Sequence, residues 1–312
     1  MIQNNTLISQ KKLLVCGARG FIGSEIMHRF HSYNPIGTTS KPVENNFQYL
    51  TLDLKEKGFK SVLQNINKAA SISQLTHAVV ATMPYSVDQC FLEREESWLA
   101  NVDNTKMLID WLVEQRIQPI FLSSDYVFDG RRGHYSERDH TTPHSQYGKQ
   151  KLAVEKYIKC QTDNYLILRL GKVVSEKLPS LLTDFVTKII KNETVNLATD
   201  QVLGLVHLDD VIFSLRGLLE KNISGTYHIA NGQSVKRHEI YNEIFTKMHQ
   251  CDNRLLNNAK YVELKDIAFV EPRPQNTSMT NKKIQRSLNQ NFLSNDEMFQ
   301  MAVDYYFENR KQ

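Results

Sequence analysis

Little in this chain would staple, anchor or strongly charge a protein. Its four cysteines, Cys16, Cys90, Cys160 and Cys251, are scattered and form no CxxC pair. Neither a metal site nor a disulfide framework is therefore expected, and the thiols read as reduced. No stretch approaches the roughly 18 consecutive apolar residues of a membrane span. The opening MIQNNTLISQKK lacks the charged and apolar regions of a signal peptide. The expectation is a cytoplasmic protein with no membrane partner. Basic blocks are missing too: 38 Lys and Arg against 34 Asp and Glu leave a formal charge of +4, too dispersed to mark a nucleic-acid surface. No internal repeat or low-complexity stretch is visible. The remaining composition, 41% apolar and 23% charged over 312 residues, suits one large domain with a smaller partner packed against it.

Short apolar runs alternate with helical periodicity through the first half. Lys12-Leu13-Leu14-Val15-Cys16 ends at Gly17 and reads as a buried parallel strand. Strand-like segments follow at 35–39, 47–54, 77–81, 119–123 and 165–170, separated by helical ones at 21–33, 57–70, 93–116 and 146–160. This rhythm predicts βαβ units and an α/β fold, a Rossmann doubly wound parallel sheet. After about Lys172 the rhythm changes to a helix at 180–191, short strand-like pieces, a sheet strand at 225–230 and a helix-rich end. The expected organisation is a dinucleotide-binding Rossmann domain at 11–172, to which 205–230 returns, and a smaller C-terminal α/β substrate domain at 173–204 and 231–312. Residues 1–10 read as a polar leader.

Gly17-Ala18-Arg19-Gly20-Phe21-Ile22-Gly23 is a GxxGxxG turn between the first strand and the first helix. Glycines there permit positive φ, close approach of backbone to a pyrophosphate, and tight helix packing. The helix start offers free N–H groups and partial positive charge to phosphates. A lone match of this kind also describes an ordinary tight turn, but strand, helix and chain rhythm agree with cofactor binding. At the end of the second strand, Thr39, Ser40 and Lys41 replace the carboxylate that would hold a ribose 2′-hydroxyl. Hydroxyls and a cation there, with Arg19 in the turn, suit a 2′-phosphate and favour NADPH over NADH, unless 39–41 is simply a solvated loop. Asp53 is a candidate acceptor for the adenine amino group or, alternatively, a helix cap. Ala81 and Thr82, after the 77–81 strand, complete the candidate cofactor contacts.

The most informative stretch is Ser123-Ser124-Asp125-Tyr126-Val127-Phe128-Asp129-Gly130, followed by Tyr147-Gly148-Lys149-Gln150-Lys151. Tyr147 and Lys151, four apart at the start of a helix, share one face. A phenol of pKa ~10 exchanges protons poorly at neutral pH, and a nearby ammonium favours its anion. Ser124, ending a strand, is placed to hydrogen-bond a substrate carbonyl while Tyr147 protonates the developing alkoxide. YxxxK alone is unspecific; with Ser124 upstream and the glycine turn before it, the set is much more so.

These segments resemble the extended short-chain dehydrogenase/reductases, and within them the dTDP-4-dehydrorhamnose reductase branch. GARGFIG, SSDYVFDG, YSERD with Pro143, and YGKQKLAVEK carry the resemblance, with echoes in NVDNT at 101–105, ATDQ at 198–201, HLDDV at 207–211 and EPRP at 271–274. It implies NADPH-dependent reduction of a nucleotide-linked 4-keto sugar in polysaccharide biosynthesis. Ser124, Tyr147 and Lys151 would be the catalytic set, with Ser124, Asp125, Tyr126 and Arg273 meeting the substrate and Arg273 near its pyrophosphate. It also implies a homodimer formed through helices 93–116 and 146–160. Two segments depart from the branch, Ala81-Thr82-Met83-Pro84 on the cofactor side and Val202-Leu203-Gly204-Leu205 on the substrate side, which leaves the sugar open. Related dehydratases carry Asp-Glu after the strand-ending hydroxyl, whereas this chain has Asp125-Tyr126 and lacks the elimination acid. An epimerase of the same fold is the first alternative, and a non-catalytic NADP-binding regulatory subunit the second.

His134, His140 and His144 crowd one loop, but Pro143 opposes the helix that would align the last two on a metal, so they read as exposed. Arg169 reads as a sheet-edge or loop support. Trp98, Met107 and Trp111 read as core or interface, and Asn101 as a residue holding a helix kink near the site.

Overall fold

The computed structural model describes residues 11–43, 48–67 and 74–309. At its centre are β1 (Leu13–Cys16), β2 (Ile36–Thr39), β3 (Tyr49–Thr51), β4 (His77–Val80), β5 (Gln118–Ser124), β6 (Leu166–Leu170) and a late strand, Gly225–Ile229. They form one seven-stranded sheet in the order Gly225–Ile229, β6, β5, β4, β1, β2, β3, with every pairing parallel. The sheet order reverses between β1 and β4, which opens a crevice at their C-terminal ends.

The strands read as unbroken apolar runs because both faces of the sheet are covered. Leu14 and Cys16 of β1 enter one apolar cluster, Leu13 and Val15 the other; Phe121 and Ile120 divide β5 in the same way. Helices Phe59–Asn67, Thr105–Glu114 and Gln146–Gln161 close the first face through Leu63, Leu108 and Val154. Helices Phe21–Arg29 and Leu208–Glu220 close the second through Ile26 and Leu215. This is the doubly wound Rossmann arrangement read from the sequence.

A third cluster, with Phe185, Tyr241 and Phe299 at its centre, joins helices Leu181–Ile190, Arg237–Cys251 and Asn295–Asn309. Around it lie small two-stranded sheets pairing Lys172–Val174 with Leu205–His207, Val202–Leu203 with Val235–Lys236, and Val195–Ala198 with Ala259–Val262. Of the segment expected to return to the main sheet, only Gly225–Ile229 joins it as a strand.

Several elements are shorter than expected, among them the helix expected at 21–33, which ends at Arg29. β3 is an edge strand, so only the three residues opposite Gly37–Thr39 pair; the expected helix at 57–70 is Phe59–Asn67. The leader 1–10, Phe47 and 68–70 lie outside the described residues. The long helix at 93–116 is a continuous helical run with a π-turn at Leu99–Asn104, where Asn101 is drawn inward. Trp111 is core, Met107 packs against it half-buried, and Trp98 is 38% exposed. Among the described residues, no helix is long and apolar enough to cross a membrane.

Candidate active site

The C-terminal ends of β1, β2 and β4 rim a cleft of about 500 Å³ lined by every expected cofactor residue except Ile22 and Gly23. Gly17 sits at φ 86°, and a Cβ there would lie 3.0 Å from the Thr82 backbone, so the turn is open only to glycine. Gly20 precedes helix Phe21–Arg29, whose N-terminus brings unpaired N–H groups to the cleft. Gly23 serves packing instead: a Cβ on it would meet the Gly17 oxygen at 2.1 Å. Ile22 packs half-buried against the second apolar cluster. Their side-chain positions thus face the packing, while their N–H groups belong to the helix N-terminus that opens on the cleft. Thr39 Oγ1 donates to the Lys41 carbonyl at 2.6 Å, shaping the β2 end, while Arg19 and Lys41 are exposed at the cleft. Asp53 is the one carboxylate in the lining among the described residues. Its Oδ1 accepts from the Lys55 N–H at 2.9 Å, so it caps the turn after β3 as well.

One strand over, Ser124 ends β5 and faces the start of helix Gln146–Gln161. Ser145 caps that helix, accepting from the Gly148 N–H at 3.1 Å. The helix start lies tight against the turn after β5: a Cβ on Gly148 would stand 2.1 Å from the Tyr126 carbonyl oxygen. Gly148→Ala is therefore expected to cost about 1–3 kcal/mol by overpacking and to displace Tyr147, seen as a lower thermal midpoint together with lost activity.

Ser124 stands beside Tyr147, and its hydroxyl acts on the phenol in the direction that favours the anion. Burial raises the Tyr147 phenol above its ordinary range, and the Asp125 and Tyr126 charges push the same way. It is thus a protonated group at neutral pH, a donor rather than a base. Its ring meets Tyr126 edge-on, centroids 5.8 Å apart. Lys151 departs from the expected picture. Its Nζ lies 5.8 Å from the Tyr147 ring centroid and donates to the Leu122 carbonyl at 2.6 Å. Burial pulls it down to about 7, opposed by the Glu155 charge.

Behind these residues stand groups the sequence reading missed. Asp125, expected to meet substrate, is 6% exposed, and its two oxygens are taken by Ser124 Oγ at 2.8 Å and by the Thr277 hydroxyl. It backs Ser124 instead of lining a cleft. Glu155, one further turn-pair along the face of Tyr147 and Lys151, accepts from Ser123 Oγ at 2.6 Å and from Arg169 Nη2 at 2.7 Å. Arg169 is thus a buried support of that helix from an interior strand, not of a sheet edge or loop. Asn101 Nδ2 donates to Gln150 Oε1 at 2.7 Å and faces Cys90 Sγ at 3.4 Å, tying the π-turn to helix Gln146–Gln161.

Tyr126 and Arg273 line a smaller cavity of about 240 Å³ with Pro272 and Pro274. Arg273 is held by Asp88 at 2.8 Å and donates to the Glu271 carbonyl at 3.0 Å. Glu271 itself accepts from the Gln146 N–H at 2.6 Å, joining this arm to the start of helix Gln146–Gln161. Lys172 and Arg237 are brought near by segment 201–204: the Lys172 N–H donates to the Gly204 carbonyl at 2.8 Å and the Arg237 N–H to the Gln201 carbonyl at 2.9 Å. Arg237 Nε is buried without a partner, and its charge and that of Arg273 both act on Tyr126. No sequence signal marks these two cations, because each merely opens an element. His134, His140 and His144 are exposed.

The family model described as RmlD substrate binding domain matches residues 11–308. A dTDP-4-dehydrorhamnose reductase of Aggregatibacter actinomycetemcomitans is 24% identical over 290 residues, covering 88% of this chain and 92% of that protein. Methionine adenosyltransferase 2 subunit beta of Xenopus laevis is 26% identical over 253 residues, covering 77% and 73%. The crystal structure of dTDP-4-dehydrorhamnose reductase from Bacillus anthracis in complex with NADP superposes with a TM-score of 0.81 at 19% identity, over 96% of this chain and 99% of that one. At that identity the likeness is one of fold.

Proposed function

The chain belongs to the RmlD substrate binding domain family, and from that membership we propose that it reduces the 4-keto group of a nucleotide-linked sugar with NADPH, Tyr147 acting as general acid. The observation that carries this reading is the Ser124–Tyr147 pair standing one strand from the cleft rimmed by the glycine turn. The residues fit a dinucleotide. A turn opened by Gly17 and Gly20 and a helix N-terminus suit the pyrophosphate, and Arg19 with Lys41 suits a 2′-phosphate. When bound, the dihydronicotinamide supplies the hydride for the carbonyl carbon. Tyr147 supplies the proton for the carbonyl oxygen, and Ser124 orients that oxygen. Lys151, held at the Leu122 carbonyl, keeps a polarisable charge beneath the phenol. Arg273, Arg237 and Lys172 suit the diphosphate of the sugar nucleotide.

The test is consumption of NADPH with dTDP-4-dehydrorhamnose; absence of turnover with this and other nucleotide 4-keto sugars overturns the reading. Lys41→Glu is expected to weaken NADPH, but not NADH, by roughly 10- to 100-fold in KM, the loss of about 1.5–3 kcal/mol of charge-assisted bonding. The likeness to methionine adenosyltransferase beta subunits favours a second reading, an NADP-binding subunit without turnover. The complete Ser124, Tyr147 and Lys151 set weighs against it. An epimerase is disfavoured by the carboxylate-free end of β2. The homodimer through the two long helices, the domain division at 172 and 205–230, and a cytoplasmic location stay proposals.

A further inference from the structure

We infer that Asp88 is a positioning residue of this site: it holds the Arg273 guanidinium ready in the plane that grips the diphosphate of a nucleotide-linked sugar. The inference rests on the nucleotide-sugar reading above and deepens it.

An arginine side chain presents five N–H donors in a rigid fork, and two of them are spent on fixing Arg273. Nη2 donates to Asp88 Oδ2 at 2.8 Å and Nη1 to the Glu271 carbonyl at 3.0 Å. The guanidinium carbon lies 4.8 Å from the centroid of the Phe269 ring, a further restraint on how the fork can turn. Asp88 Oδ1 accepts from the Glu271 N–H at 3.2 Å. One carboxylate thus grips both the Arg273 side chain and the backbone that carries it. The other three donors of the fork are left for phosphate oxygens at the cavity that Arg273 lines with Tyr126. Asp88 is not in that lining, so it acts through the arginine.

Helix capping does not explain the carboxylate. Asp88 lies on helix Val87–Leu92, whose start is already closed by its neighbours. The Ser86 N–H donates to Gln89 Oε1 at 3.0 Å, and the Gln89 N–H to Ser86 Oγ at 3.3 Å. The bond from Arg273 holds the Asp88 carboxyl below its usual range, which keeps it ionised at neutral pH. Its helix follows β4 and segment 81–84, which lines the cofactor cleft. The wall of one subsite therefore carries the residue that sets the cation of the other.

The test is titration calorimetry of the whole protein under saturating NADPH, with whichever of dTDP, UDP, CDP and GDP binds. Asp88→Asn keeps the shape, and an oxygen for the Glu271 N–H, but loses the charge. It should weaken the nucleoside diphosphate roughly 3- to 10-fold, the cost of ordering one long side chain on binding, while NADPH affinity persists. Arg273→Gln should weaken it roughly 10- to 100-fold, and adding Asp88→Asn to that variant should change nothing further. In kinetics with the matching 4-keto sugar nucleotide, the Asp88→Asn loss should fall on KM rather than kcat. Unchanged affinity in Asp88→Asn overturns the positioning role. Tighter binding overturns it too, since Asp88 would then compete with the ligand for the arginine. An equal further loss in the Arg273→Gln background would mark Asp88 as merely structural. Affinities that shift as expected without turnover overturn the reductase reading and leave the positioning role standing. Failure of the unaltered protein to bind any of the four diphosphates overturns both.

Discussion

Tyr147→Phe is expected to lower kcat by about 10²- to 10⁴-fold, the usual contribution of a positioned general acid, with the KM for NADPH nearly unchanged. The phenylalanine keeps the ring that packs against the first apolar cluster and meets Tyr126 edge-on. It removes only the hydroxyl. Ser124 keeps its own bond to Asp125, so the fold should persist. Steady-state kinetics alongside a thermal melt separates the two effects. Turnover equal to that of the unaltered protein would remove Tyr147 from the chemistry.

The second large effect lies behind the site. Arg169 and Glu155 are 3% and 0% exposed and paired at 2.7 Å. The Arg169 guanidinium also lies 5.2 Å from the Phe128 ring and 3.4 Å from His228 Nε2. Burial first, and then the Arg169 charge, pulls that histidine down to about 3, so it is a neutral neighbour that leaves the pair to balance itself. Breaking such a buried pair strands a charge, and Glu155→Leu is expected to cost about 3–5 kcal/mol in denaturant unfolding. Glu155→Leu combined with Arg169→Met should recover most of that loss, since desolvating two ions costs nearly what their attraction returns. Equal losses in single and double variants would mean that packing, not charge, holds this position. Because Glu155 shares a helix face with Lys151 and Tyr147, the single variant should also slow turnover.

How far the site is legible in sequence depends on how local its physics is. The glycine turn was readable because positive φ at Gly17 and the close approach to Thr82 are demands on single residues. Tyr147 and Lys151 were readable because helical spacing puts them on one face. That Ile22 and Gly23 turn away from the lining of the cleft is not in the motif, which records which residues recur and not which way the helix turns them. That Lys151 is also held by the Leu122 carbonyl could not be read, since that carbonyl belongs to a strand whose distance no spacing rule supplies. Asp125 was read as a substrate contact since it follows Ser124. Its partner Thr277 is 152 residues away.

By itself, then, the amino-acid sequence determined the parallel sheet, the glycine turn and the Ser124, Tyr147 and Lys151 set. Alternating burial, φ preference and i, i+4 spacing act over a few residues. Only the tertiary structure decided what stands behind those groups: Asp125 clasped by Thr277, Glu155 by Arg169, and Lys172 and Arg237 drawn beside Arg273. A buried polar atom must find a partner wherever the fold puts one, and chain distance carries no record of where that is.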